Sequence, residues 1–453
     1  MKNNCTSNAF NAHHAFNPAR IIPGLVTALV FGALAVVVTL ASPGHAESDV
    51  EVGAHLKDNT CVNCHLNDVD DDNTEITEHY LKGIHARRGI SCADCHGGNP
   101  KAEDQDDAMD EDAGFVGAPE RADIPAFCAK CHADPNYIRG FNPNLATDQY
   151  AKYKISGHGK RLLKSHDPKV AVCTSCHGVH GILPPDDPSS PVYIQNIPQT
   201  CSHCHSDAKY MSGRHIPTDQ FDKYKKSVHG IALLDKGDRG APACTGCHGS
   251  HDARRPAPSG VANTCAQCHN FIREMFVASP HKIAFDEEDV SECEVCHGNH
   301  EIQKVFDGML ADSDKSVCSE CHNSDSKGWA VAKDMSDNII ALREQIDSIS
   351  LIVDSAREIG MDAEDAIYTL KEARNELVKS RARVHTFVTE KVTEVTDVGM
   401  EKAKSAGMAG RELLDLFTFR RRGFILSVIV ILLLSALLTW KIRSMRGDST
   451  VDQ

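Results

Sequence analysis

The chain has 453 residues, 19 cysteines, only 6% aromatic residues and a formal net charge of −15. This excess of acid includes the runs Asp68 to Asn73 and Glu103 to Asp112, which would repel phosphate, so nucleic acid is not expected as a partner. The runs read as solvated loops and lack the spaced ligands of a calcium-binding EF-hand.

At the N-terminal side, Arg20 precedes an apolar stretch from Ile21 to Ala41, and small residues follow as far as Ala46. A positive flank, an apolar run and small residues predict an export signal over residues 1–46, or an uncleaved N-terminal anchor.

The next segment, 47–335, carries nine Cys-x-x-Cys-His motifs. Their cysteines are Cys61 and Cys64, Cys92 and Cys95, Cys128 and Cys131, Cys173 and Cys176, Cys201 and Cys204, Cys244 and Cys247, Cys265 and Cys268, Cys293 and Cys296, and Cys318 and Cys321. The histidines that follow them are His65, His96, His132, His177, His205, His248, His269, His297 and His322. Cys5 is left over and has no assigned role.

Cys-x-x-Cys-His is the attachment signature of c-type haem. Two thioethers hold the porphyrin, and the adjacent histidine reaches the iron as proximal ligand. Zinc ribbons do not require a histidine after every second cysteine, and a disulfide framework would not keep one spacing nine times. Nine covalent c-type haems are therefore expected. With about 32 residues for each, the chain segments are too short to build ordinary cores, and the porphyrins would supply most of the buried apolar surface.

After the first motif, the others come in pairs. One member of each pair continues into glycine (Gly97, Gly178, Gly249, Gly298) and the other does not. Ahead of each glycine-type motif stands a shared phrase with an aromatic five residues before a histidine, ending at His85, His158, His229 and His281. Three more histidines, His180, His251 and His300, recur three residues after a glycine-type motif. These seven are the first candidates for distal iron ligands in an array of two-haem modules. The two remaining places fall to His55 and His79, ahead of the non-recurrent His166, His203 and His215. The first module has Asn99 where the others have the downstream histidine, so its glycine-type haem is expected to borrow a ligand from the N-terminal segment or to carry an open iron.

These motifs resemble the multihaem c-type cytochromes with doubled Cys-x-x-Cys-His repeats, over roughly Ala54 to Met335. The resemblance implies closely packed bis-histidine haems that carry electrons outside the cytoplasmic membrane. A fainter similarity reaches the hydroxylamine oxidoreductase and pentahaem nitrite reductase families. The Cys-x-x-Cys-Lys site of the common nitrite reductases has no counterpart in this sequence.

Beyond Met335, Ile339, Leu342, Ile346, Ile349 and Val353 fall at helical steps, and Gly360 ends that helix. Ile367, Leu370, Leu377 and Val384 mark a second helix, so the pair reads as an antiparallel hairpin over 336–422 that could form a stalk, a subunit interface or packing against the haem domain. A further helical piece, Met400 to Phe419, leads into the stretch Gly423 to Trp440, which is uncharged and long enough to cross a bilayer core. His385 reads as a surface or packing residue.

The expected fold is mainly α with much irregular loop: a haem-packed domain over 47–335, the hairpin, a transmembrane helix over 423–442 and a cytoplasmic tail over 443–453. The implied role is an electron relay anchored in the cytoplasmic membrane with its haem domain on the exported side. The expected partners are redox proteins, among them a quinol-oxidising or bc-type complex, and a second copy through the hairpin. The alternative is an oxidoreductase acting on nitrogen or sulfur oxyanions, or a hydroxylamine-type oxidase, with one open haem.

Overall fold

A computed structural model describes residues 56–447 except 57, 68–70 and 312–315. The N-terminal signal or anchor and His55 lie outside the described residues. Among those described there is no strand: turns and mostly short helices, with one of 20 residues that is interrupted at His269 (Pro258–Val277), run as far as Glu320, and three long helices follow.

The motifs sit on turns of helix, as their spacing allows, except that the last has only a 3-10 turn, Cys318–Glu320, with Cys321 and His322 just beyond it. Residues three and four apart share a helix face, so both cysteines and the histidine can present to one side. The glycine-type motifs end at once: Cys92–His96, Cys173–His177, Cys244–His248 and Glu294–His297. The following glycines have φ/ψ of 71/−154°, 77/−177°, 80/162° and 71/−172°. That region is open to glycine almost alone, which explains why the residue recurs: it turns the chain sharply away behind the histidine. The other motif type needs no such turn. Ile124–His132 and Ile197–His205 end at Ala133 and Ser206 with ordinary φ of −104° and −98°.

The shared phrase has a structural reading too. Tyr80, Tyr153 and Tyr224 donate their hydroxyls to the carbonyls of Ile90, Ala171 and Pro242 at 2.6, 2.9 and 2.9 Å. Each accepting carbonyl lies two residues before a glycine-type motif. Ser156 and Ser227, buried, cap the short helices that carry His158 and His229 by accepting from Gly159 N and Gly230 N at 2.9 and 3.0 Å. A Cβ on either glycine would run into the phrase tyrosine's own carbonyl. In the fourth module Phe276 replaces the tyrosine and packs on Phe285 and Phe387 instead.

Apolar clusters in this region hold only a few residues each, such as Leu56, Val62, Tyr80 and Ala86, or Tyr153, Leu162, Val170 and Val172. The larger core lies in the C-terminal helices. These span Lys327–Glu358, Glu364–Arg383 and Thr389–Gly447, and the third packs along both others. The first two helices form the expected hairpin, and the third packs on both of them to complete a three-helix bundle. It begins earlier, where Ser326 caps the first helix by accepting from Trp329 N at 3.2 Å. Ile339, Leu342, Ile346, Ile349 and Val353 are buried as their spacing implies. They face Gly399, Ala403, Ala406, Gly407 and Gly410, whose small size lets the third helix approach. A Cβ at Gly399 would lie 2.7 Å from Leu342 Cδ2.

The second helix stops at Arg383 because the chain reverses through a 3-10 turn, Val384–Thr386, and Phe387 in the left-handed region (φ 52°). The third helix then continues without interruption through the apolar stretch and into the segment expected as a tail. It is the one described helix long and apolar enough to cross a membrane.

Buried Asp307 joins the two regions. It accepts from Arg343 Nη1 at 3.0 Å and from Arg381 Nε and Nη2 at 2.8 and 3.0 Å.

Candidate functional site

Eight of the nine motif histidines are set opposite other histidines. Ring centroids are 6.1 Å apart for His132 and His85, 6.1 Å for His205 and His158, 6.3 Å for His269 and His229, and 5.9 Å for His322 and His281. Each of these pairs lies within one module and joins the phrase histidine to the motif without the glycine. The glycine-type motifs look to the next module: His96 faces His180 at 6.3 Å, His177 faces His251 at 6.0 Å and His248 faces His300 at 5.8 Å. His297, last in this series, faces His385 at 6.0 Å. All seven recurrent histidines are thus brought against motif histidines.

Backbone bonds hold the register between modules. Ile84, Gly157 and Val228, each just before a phrase histidine, donate to the carbonyls of Ile182, Ala253 and Ile302 at 2.7, 2.8 and 2.9 Å. Each acceptor stands two residues past the histidine that crosses over. Neighbouring motifs also come together at their cysteines, with Cys128 beside Cys173, Cys201 beside Cys244, and Cys265 beside Cys293.

The donor set and its spacing fit haem iron. A metal–imidazole bond is about 2.0–2.1 Å and the ring nitrogen lies about 1 Å from the centroid, so two trans imidazoles have centroids roughly 6 Å apart. Burial favours the neutral imidazole that a metal needs. It pushes His158 and His177 down to about 4, with the facing histidine adding to the effect, and lowers His85, His180, His229 and His300 as well. Some rings are oriented from behind: His96 Nδ1 lies 3.1 Å from Val116 O, and His248 Nδ1 lies 3.0 Å from Arg254 O. Such second contacts select which nitrogen is free for a metal.

Several sequence expectations change here. The first module's glycine-type motif is not short of a partner, because His96 faces His180. In the register of the array, the residue at the Asn99 position serves a glycine-type motif one module earlier, and the sequence has none there. Asn99 instead caps a local turn, accepting from Lys101 N at 3.2 Å. Among the described residues, no motif histidine ring faces His79, which lies beside Glu75 at 3.9 Å and is more than half exposed. His166 and His215 occupy left-handed turn positions (φ 50° and 55°). Among the described residues, no second histidine ring faces His65. His385, read from sequence as a surface or packing residue, faces His297; it escaped notice because it stands alone, outside any repeat.

Residues 84–206, the first two modules, match the cytochrome c3 family. The chain is 27% identical over 170 residues to the C-type polyheme cytochrome OmcC of Geobacter sulfurreducens, across 34% of this chain and 20% of that protein. It therefore spans about a fifth of the length of the curated relative it matches. No solved structure matches significantly. The repeated attachment motifs, the family match over two modules and this relative together support a multihaem c-type cytochrome.

Proposed function

We propose that this chain is a membrane-anchored respiratory cytochrome that holds nine haems and relays electrons along them. The observation that carries the reading is the pairing of motif histidines with second histidines at 5.8–6.3 Å. Haem held by two histidines supplies one-electron chemistry and offers no coordination position to a substrate. In this proposal the four phrase histidines ligate within a module, and His180, His251 and His300 ligate one module back. Crossed ligation of this kind fastens each module to the next, which suits a continuous path.

The third bundle helix supports anchoring. Thr389 and Gly423 are 34 residues apart in one unbroken helix, so the turn beside the cytochrome domain stands about 50 Å from the apolar stretch. That favours a stalk; the haem domain is placed on the exported side by the export signal expected over residues 1–46. The stalk also favours a protein redox partner over direct contact with the membrane interior. The exposed acidic segment Glu103 to Asp112 would steer a basic partner.

The second reading, an enzyme with one open iron, rests on the Cys61 site, where His65 faces no ring among the described residues. Electron paramagnetic resonance of the purified full chain, with and without nitrite, sulfite or hydroxylamine, decides between them. All haems low-spin and indifferent to these molecules is the expected result. A high-spin haem that binds one of them would replace the relay with the enzyme.

A further inference from the structure

The turn between the second and third bundle helices does more than reverse the chain. His385 sits on it, half-buried, with its ring 6.0 Å from that of His297 and inclined to it by 25°. Its Nδ1 lies 3.0 Å from the Ala382 carbonyl. A hydrogen bond there places the proton on Nδ1 and leaves Nε2 as the lone-pair nitrogen, the orientation usual for a ligating histidine. Two residues on, Phe387 lies against His281 with centroids 3.7 Å apart and against Phe276 at 6.2 Å. The turn is therefore held on the fourth module at two points, and the Asp307 pairs with Arg343 and Arg381 hold the bundle close by.

We infer that His385 is the distal ligand of the iron whose proximal ligand is His297. The inference rests on the haem relay reading above and extends it to a residue outside the repeat array. In modules one to three the glycine-type histidine is met by a histidine from the following module. The fourth module has no successor, and the bundle supplies the missing group. The helical region is then part of the redox array, and the ligand stands four residues before the helix that carries the apolar stretch.

The test is His385→Ala in the full chain with its haems attached, purified in detergent beside the wild type. Haem content should stay at the wild-type value while one additional haem per chain becomes high-spin in the ferric state and binds carbon monoxide when reduced. Added imidazole should restore the low-spin signal. The same substitution at His166, a turn histidine, should add none. A His385→Ala protein with full haem content, no extra high-spin signal and no extra carbon monoxide binding overturns the inference. If that variant does not accumulate, His385→Met keeps a ligand in place and should raise the potential of one haem; an unchanged redox titration overturns the inference equally. Absence of low-spin haem in the wild type would instead overturn the relay reading itself.

Discussion

Gly178→Ala isolates the backbone requirement behind the two motif types. Gly178 has φ 77° and ψ −177°, and a Cβ there would meet nothing within 4 Å. Steric overlap with neighbours is thus absent, and only the backbone conformation resists a side chain. Holding a non-glycine residue in that region costs about 1–3 kcal/mol. Gly97→Ala carries the same strain, and its Cβ would also run into the Gly114 carbonyl, part of a backbone that cannot rotate aside. Its cost should exceed that of Gly178→Ala. Ser206→Ala is the matched control: the same position after a motif, exposed, with φ −98°. It should change stability by no more than about 0.5 kcal/mol. Urea denaturation of the haem-loaded proteins, followed by haem absorbance, reads the series. With a slope of about 2 kcal/mol/M, Gly178→Ala should lower the midpoint by about 0.5–1.5 M. Equal midpoints for Gly178→Ala and Ser206→Ala would refute the claim that this glycine recurs for its backbone.

Two further substitutions test the bundle and its docking. Asp307→Ala removes the acceptor for Arg343 and Arg381; the arginines are about 38–39% exposed and can rehydrate, so the loss should be about 2–3 kcal/mol, below that for a fully buried pair. Hydrogen exchange should quicken at the first bundle turn and around Arg381, and unchanged protection would contradict the docking role. Gly407→Leu drives a side chain into buried Ile349 and should destabilise the bundle by about 1–3 kcal/mol, offset by up to about 1 kcal/mol of helix propensity. Ser405→Leu, on the exposed side of the same helix, should leave the melting temperature within a few degrees of wild type.

What the sequence disclosed depended on recurrence. The motifs, the phrase histidines and the downstream histidines repeat in register, so chain spacing alone picked out seven of the residues that face motif histidines. Which motif each one faces was not legible, because the crossing from His180 back to His96 is a contact between modules and leaves no trace in spacing. Asn99 misled for the same reason: its position belongs to an earlier module that the chain lacks. His385 stands alone, and a single histidine in a helical sequence carries no pattern. The reversal at Val384–Phe387 was hidden because it uses neither glycine nor proline; Phe387 adopts φ 52° and is held by packing on His281 and Phe276. The small residues Gly399, Ala403, Ala406, Gly407 and Gly410 were the available signal for a third packed helix, since their three- and four-residue steps match the large residues of the first helix.

The most direct test of the account is the intact mass of the purified full chain together with its haem absorbance. Nine covalently attached haems, one for each Cys-x-x-Cys-His motif, is the predicted result. A lower number, or free thiols or bound zinc at any of these cysteine pairs, would contradict it.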